Sequence, residues 1–208
     1  NLKFIPNIRN LIDGKFDPNR FSPIDLSDII PQKSHIKLDK NKNFFLNKDI
    51  LVTGAGGSIG SELVDQLIFM PIKSLMILDH SEFSLYRIEM QLRQKINDHK
   101  LNIILKSFLE NAQNLNSIDN IFSNNNVDIV IHSAAYKHVY YSEFNIKSFL
   151  KNNILSTKNL AEISIKHNIE NFILVSTDKA VNPKSPMGKT KRISEILIQI
   201  YNNNSNIT

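Results

Sequence analysis

From residue 48 onward, short apolar runs alternate with stretches of helical period; the chain before that point shows neither. Ile50-Leu51-Val52 is an apolar run that ends in Thr53-Gly54. Beyond Ser58, the residues Ile59, Leu63, Leu67 and Ile68 recur at helical spacing. Ser74 to Leu78 predicts a second buried strand with Asp79 at its polar end, and Glu82 to Ile96 predicts a helix whose one-sided stripe is Phe83, Tyr86, Met90 and Arg93. Asn102–Leu105, Val127–Ile131 and Phe172–Val175 read as three further strands. Between them lie a short helix, Leu115 to Phe122, closed by Asn124-Asn125-Asn126, and a long one from about Glu143 to His167 carrying Phe149, Ile154, Leu160 and Ile163. Met187 to Tyr201 is the last helix. Strands that are apolar throughout and alternate with helices predict an α/β fold, a Rossmann-like doubly wound parallel sheet covered on both faces. Residues 1–47, with Pro6, Pro18, Pro23 and Pro31 and no sustained period, read as an extended lead-in that packs on the domain formed by 48–208.

Composition narrows the chemistry. The chain has no cysteine, which excludes a disulfide framework, a thiolate zinc site, an iron–sulfur cluster and a cysteine nucleophile. Its six histidines show no metal-binding spacing, so no metal is expected. No run of about 18 apolar residues and no leader segment occurs, so the reading has no membrane segment in this chain and a cytoplasmic location. The formal charge of +5 suits anionic partners, but Asn and Lys are used heavily throughout, which weakens that inference. Lys184, Lys189, Lys191 and Arg192 lack interleaved aromatics and read as a solvated helix face, not a nucleic-acid surface. Glycine is the informative residue: there are six, against roughly 15 at ordinary usage. Four of them fall at Gly54, Gly56, Gly57 and Gly60.

That cluster joins the first strand to the first helix, where a dinucleotide-binding fold needs a tight turn, close approach to a pyrophosphate, and helix N–H groups for the anion. Gly54, Gly57 and Gly60 have the GxxGxxG spacing, while Gly54-Ala55-Gly56 leaves a GxG reading open; Ser58 and Ile59 complete the turn. Asp79, 25 residues past Gly54, suits the ribose hydroxyls and would repel a 2′-phosphate, which favours NAD over NADP. Asp79 and Ser81 equally suit a helix cap, since both just precede a helix. Ligands in such sheets bind beyond the carboxyl ends of the strands. After the fourth strand come His132, read as a packed core histidine, then the small residues Ser133, Ala134 and Ala135, then Tyr136, Lys137 and His138. Lys137 and His138 either line a substrate site or anchor its loop. After the fifth strand come Thr177-Asp178-Lys179, and then Met187 and Lys191, four apart and so on one helix face.

Three segments, Thr53–Leu63 (TGAGGSIGSEL), Ala134–Val139 (AAYKHV) and Ser176–Lys191 (STDKAVNPKSPMGKTK), resemble the nucleotide-sugar 4,6-dehydratases of bacterial polysaccharide biosynthesis. These are extended short-chain dehydrogenases that act on UDP-N-acetylglucosamine with tightly held NAD. The resemblance implies NAD as cofactor, a UDP-sugar as substrate, and homo-oligomers at full length, with larger members anchored to the inner membrane. It implies a reaction in which C4 is oxidised, the C5 proton and C6 hydroxyl are lost, and C6 is reduced. Thr177 is implied to contact the C4 hydroxyl, Asp178 to protonate the departing C6 oxygen and Lys179 to take the C5 proton. Lys179 would then need a lowered pKa and Asp178 a raised one. Met187 stands where short-chain dehydrogenases usually carry a catalytic tyrosine, a feature of the larger members, with Lys191 holding the nicotinamide ribose. Asn153 matches an asparagine of the central helix, at a backbone bend or water near the site.

The chain departs from that pattern in three places. Ser107 to Asn111 replaces an acidic run after the third strand, leaving Phe108 to stack near an adenine. Tyr140-Tyr141 replaces Pro-Leu after Lys137-His138-Val139, although Glu143 is kept. The chain also stops where a sixth strand should begin, so it is expected to be truncated before the substrate-binding portion and to turn over little alone. A non-catalytic nucleotide-binding module and a C4 or C5 epimerase of the same sugar nucleotides remain alternatives.

Overall fold

The computed structural model describes residues 42–204, all within one compact unit, Asn41–Thr208. Most of the expected lead-in lies outside the described residues. Its last part is not extended: Lys42–Phe45 forms a short helix, α1, and Phe45 packs against the core. Then follow β1 (Asp49–Thr53), α2 (Ser58–Leu67), β2 (Ser74–Asp79), α3 (Glu82–Asp98), β3 (Ile104–Leu109), α4 (Leu115–Asn124) and β4 (Ile129–His132). Two short helices, α5 (Val139–Phe144) and α6 (Ile146–Phe149), lead through a π-helical stretch, Leu150–Leu155, into α7 (Ser156–Lys166). β5 (Asn171–Leu174), a 3₁₀ turn (Asp178–Ala180) and α8 (Pro186–Asn204) complete the order.

The five strands are parallel in the order β3-β2-β1-β4-β5, the doubly wound sheet expected from the pattern. β1 shows why its sequence is apolar throughout. Side chains alternate across a strand, so Ile50 and Val52 join Leu75, Ile77, Ile129 and Ile131 in one core, while Leu51 joins Met76, Leu78 and Val130 in the other. α2 and α3 cover the first core through Val64, Leu67, Leu85 and Ile88; α4 and α7 cover the second through Ile118, Phe122, Leu160 and Ile163. Truncating a residue such as Leu51, fully buried, to Ala would cost about 2–5 kcal/mol. The edge strands β3 and β5 are only partly buried.

Three expectations are corrected. In α3 the stripe Phe83, Tyr86, Met90 is exposed, and the buried residues are Leu85, Ile88 and Leu92. The helix is rotationally set at its start, where Ser81 caps it by accepting from the Ser84 N–H, and Ser84 lies tight against Gly56. β3 begins at Ile104 and extends to Leu109, pairing with the whole of β2. Phe108 is therefore a strand residue, partly buried against the second core, and it lines neither the large cleft nor the small pocket by Asp79. The helix expected from Glu143 to His167 is interrupted at Asn145 and widened at Leu150–Leu155. In the wide turn, carbonyls lose their usual partners, and side-chain hydroxyls take them: Thr157 donates to the Asn153 carbonyl at 2.6 Å, Ser194 to the same carbonyl at 3.0 Å, and Ser156 to that of Asn152. Ser156 and Thr157 are buried in making these bonds, Asn153 is buried beside them, and Asn159, also buried, donates instead to the Gln113 carbonyl at 2.9 Å.

Candidate cofactor and active site

The turn after β1 is built by backbone packed on backbone. Gly54 has φ +68°, and a Cβ there would lie 2.6 Å from the Ala134 Cα and N. A Cβ on Gly60 would lie 2.1 Å from the Gly54 carbonyl oxygen. Neither site admits a side chain, because the clash is with main chain that cannot move aside. Gly57, by contrast, is exposed and meets only the Gly54 oxygen at 3.2 Å. α2 starts at Gly57 without a side-chain cap, so the N–H groups of Ser58, Ile59 and Gly60 have no intrahelical acceptor. The same residues line the large cleft. An uncapped helix start behind a turn cleared of side chains fits a dinucleotide pyrophosphate.

Asp79 is buried at the end of β2, and its two carboxylate oxygens accept from the Gly56 and Ser81 N–H groups, each at 2.9 Å. It ties the glycine turn to Ser81, the residue that caps α3. A carboxylate has about four acceptor positions, which leaves capacity for ribose hydroxyls. Asp79 and Ala134 line a small pocket on this side with Glu110, Asn111 and Asn152. Ser81 and Gly56 line neither this pocket nor the large cleft.

Beyond β4, Ser133, Ala135, Tyr136, Lys137 and His138 all line the large cleft. Asn153 does not. It clamps the loop instead, accepting from the Tyr136 N–H at 2.8 Å and donating to the Tyr136 carbonyl at 3.1 Å and to the Thr190 hydroxyl at 2.9 Å. Asn153 itself lies within the π-helical stretch. Lys137 reaches across to donate to the Ser58 hydroxyl at 2.9 Å, bridging the loop and the start of α2. His132 is buried between the Thr53 hydroxyl, 2.6 Å from Nδ1, and the Thr157 hydroxyl, 3.2 Å from Nε2. Since Thr157 gives its proton to the Asn153 carbonyl, the network assigns the proton of His132 to Nε2. Burial, reinforced by the Lys191 charge, pulls its pKa down to about 3, so it stays neutral.

Thr177 caps the 3₁₀ turn after β5, and its hydroxyl donates to Asp178 at 2.9 Å. Lys179 lies 3.2 Å from the same carboxylate oxygen. The Thr177 hydrogen bond and the Lys179 ammonium hold the Asp178 carboxyl below its usual range, opposite to what a general acid needs. Gly188 packs beneath the Lys179 carbonyl, which joins α8 to this turn. Met187 and Lys191 are buried on α8 and line the cleft with Thr177 and Lys179. Lys191 donates to the Val175 carbonyl at 2.7 Å, and burial lowers its pKa to about 8.

The cleft encloses about 690 Å³ and brings together the glycine turn, the loop after β4, Thr177, Lys179, Met187 and Lys191. Asp178 sits outside its lining with a side chain 85% exposed. One wall was missed by the sequence reading: Tyr141, Asn145, Ser148 and Phe149, from α5, α6 and their junction. The anomalous Tyr140-Tyr141 pair was its available signal. Among the described residues no group of acidic and histidine side chains could hold a metal ion, and no helix is long and apolar enough to cross a membrane.

The family described as polysaccharide biosynthesis protein matches residues 50–208. Capsular polysaccharide biosynthesis protein CapD of Staphylococcus aureus is 35% identical over 206 residues, 98% of this chain and 34% of CapD. The chain thus spans about a third of that relative. Pen from Bacillus thuringiensis superposes with a TM-score of 0.68 at 26% identity, over 79% of this chain and 51% of Pen. UDP-glucose 4-epimerase from Bifidobacterium longum, solved in complex with NAD+ and UDP, gives a TM-score of 0.64 at 25% identity, over 77% of this chain and 51% of the epimerase. The family match begins in β1 and takes in the glycine turn, the strand ends and α8, and the chain belongs to the polysaccharide biosynthesis protein family.

Proposed function

We propose that this chain is the NAD-holding domain of a nucleotide-sugar 4,6-dehydratase that acts on UDP-N-acetylglucosamine in the cytoplasm. The observation that carries the reading is the buried Met187 on the cleft, one helical turn before Lys191, with Thr177 and Lys179 lining the same space. A thioether cannot accept a proton, so the acid–base work falls to the turn after β5.

NAD, when bound, supplies reversible oxidation and reduction of sugar carbons. The glycine turn and Asp79 would hold its pyrophosphate and ribose, and Lys191 the ribose nearest the chemistry. Thr177 positions the C4 hydroxyl, whose proton passes to solvent when C4 becomes a ketone. Lys179 takes the proton from C5, the C6–O bond breaks as a C5–C6 double bond forms, Asp178 gives its proton to the oxygen that leaves as water, and Lys179 returns its proton to C5 once C6 is reduced. This needs neutral Lys179 and protonated Asp178, whereas the structure holds them as an ion pair at the surface. The two forms differ only in which partner carries one shared proton. Water stabilises the charged form; moving the proton from Lys179 to Asp178 requires that bound substrate cover Asp178, which lies outside the cleft lining, as well as Lys179 within it, because a desolvated ion pair loses its hydration while the neutral pair loses little. Substrate binding thereby arms both groups at once. A stripe on α8, Ile193, Ile196 and Ile200, each at least 40% exposed, supports assembly of the intact protein as a homo-oligomer.

The likeness to a UDP-glucose 4-epimerase favours a second reading, epimerisation of a UDP-sugar at C4. The product at C6 separates the two. Intact protein incubated with NAD and UDP-N-acetylglucosamine should yield a 4-keto sugar with a C6 methyl group, seen by proton NMR. An epimer that keeps its C6 hydroxyl would overturn the dehydratase reading.

A further inference from the structure

α5 contributes almost nothing to the core: of its six residues only Ser142 is buried, while Tyr140, Tyr141 and Phe144 are 72%, 60% and 75% exposed. Three aromatic rings on so short a helix do not serve folding, since each leaves most of its apolar surface in water. Of the three, only Tyr141 lines the cleft. Its ring is held from two sides, by His138 at 6.3 Å and 88° and by Tyr140 at 5.7 Å and 75°; Phe144 stands behind Tyr140 at 5.5 Å. Its backbone is fixed as well, because the Tyr141 carbonyl accepts from both the N–H and the side-chain amide of Asn145, each at 3.0 Å. An exposed ring fixed in this way is a preformed stacking surface, and it costs little further ordering when a ligand covers it.

From this wall we infer that Tyr141 is a substrate-specificity residue: its ring packs against the C–H face of the hexose in the sugar nucleotide, while Asn145 and Ser148 beside it offer hydrogen bonds to the ring substituents. The inference rests on the proposed UDP-sugar reading. The hexose is favoured over the cofactor because the pyrophosphate and both riboses already have assigned partners in the glycine turn, Asp79 and Lys191, whereas Thr177 and Lys179, the cleft residues assigned to the sugar carbons, offer no flat apolar surface. The alternating C–H bonds of a pyranose give it an apolar face that an aromatic ring matches, whereas a leucine there would offer bulk without a flat surface.

The test is calorimetry on the intact, NAD-loaded protein with UDP-N-acetylglucosamine and, separately, with UDP. Tyr141→Ala should weaken the sugar nucleotide about tenfold and leave UDP and NAD within about twofold, while Tyr141→Phe should restore the sugar nucleotide to near the wild-type value. Equal weakening of UDP, a parallel loss of NAD, or no loss at all would overturn the inference. Wild-type protein that binds UDP but gains nothing from the attached hexose would overturn it too. Failure of the dehydratase reading looks different: the sugar nucleotide binds and Tyr141→Ala weakens it, but the product keeps its C6 hydroxyl.

Discussion

The glycine turn after β1 and the Thr177–Ala180 turn after β5 open into one cleft and are held in opposite ways. The first is backbone against backbone, with Gly54 against Ala134, Gly60 against Gly54, and buried Asp79 tying Gly56 to the α3 cap. The second also packs its main chain on a glycine, Gly188 beneath the Lys179 carbonyl, but its chemistry-bearing side chains are held by one another at the surface, Thr177 to Asp178 and Asp178 to Lys179. A pyrophosphate is a fixed shape with fixed charge, and a rigid cradle suits it. The proton transfer proposed between Lys179 and Asp178 requires the opposite, a pair whose charges respond to the removal of water.

The largest test of that contrast is Lys179→Ala. Its side chain is 54% exposed, so stability should stay within about 0.5 kcal/mol, while the proposed dehydration of UDP-N-acetylglucosamine by the intact protein should fall about 10³-fold. Turnover at the wild-type rate would show that the base lies elsewhere. Gly60→Ala probes the rigid side. With its Cβ 2.1 Å from the Gly54 oxygen and 2.8 Å from the Ser133 hydroxyl, the substitution should cost about 3 kcal/mol and lower Tm by roughly 10 °C in a thermal melt. An unchanged Tm would mean that the turn yields, and the cradle would not be rigid.

Lys191 links the two regions, and its burial predicts a pH dependence. Its folded pKa of about 8 lies below the ordinary value of 10.5. Below pH 8 both states are charged and the full cost of burying the ammonium is present. Between the two values the unfolded chain holds the proton that the folded one has released, so stability rises with pH. Lys191→Met lacks this. The stability of wild type relative to Lys191→Met, from urea titrations, should therefore rise by about 2 kcal/mol from pH 7.5 to 9.5. A constant difference would show that burial does not penalise the charge.

What the sequence disclosed divides along the same line. β1, β2 and the glycine turn were legible because backbone constraints leave residue signatures: apolar runs for strands buried on both faces, glycine where main chain meets main chain. The α7 region was not. The wide turn at Leu150–Leu155 buries Asn153, Ser156 and Thr157, and hydropathy marks such residues as surface because it does not register the carbonyls they satisfy. α3 carried two stripes, one of Phe83, Tyr86 and Met90 and one of Leu85, Ile88 and Leu92. Contact of Ser84 with Gly56, a tertiary fact, decided between them. The third strand, expected over Asn102–Leu105, was set too early for a related reason, since β3 follows the full length of its partner β2. Among the chemistry-bearing residues, Thr177, Lys179, Met187 and Lys191 were brought to one cleft as their motif suggested, while Tyr141 could be noticed only as a departure.

The finest test separates glycines that serve packing from the one that serves a ligand. Gly57 has φ −73° and ψ 169°, extended backbone open to any residue, and its one close neighbour is the Gly54 oxygen at 3.2 Å. A methyl group there asks the Gly54 oxygen to give by only a few tenths of an ångström, a far smaller demand than at Gly54 or Gly60. If the cradle holds a pyrophosphate, the reason for glycine is the approach of that ligand to the backbone, which a methyl group would obstruct. Gly57→Ala should accordingly leave Tm within about 2 °C and weaken NAD about tenfold in calorimetry, a loss of about 1.4 kcal/mol. A fall in Tm matching that of Gly60→Ala would return Gly57 to the packing class. Unchanged NAD affinity would place the pyrophosphate away from the start of α2, leaving the uncapped N–H groups of Ser58, Ile59 and Gly60 to water.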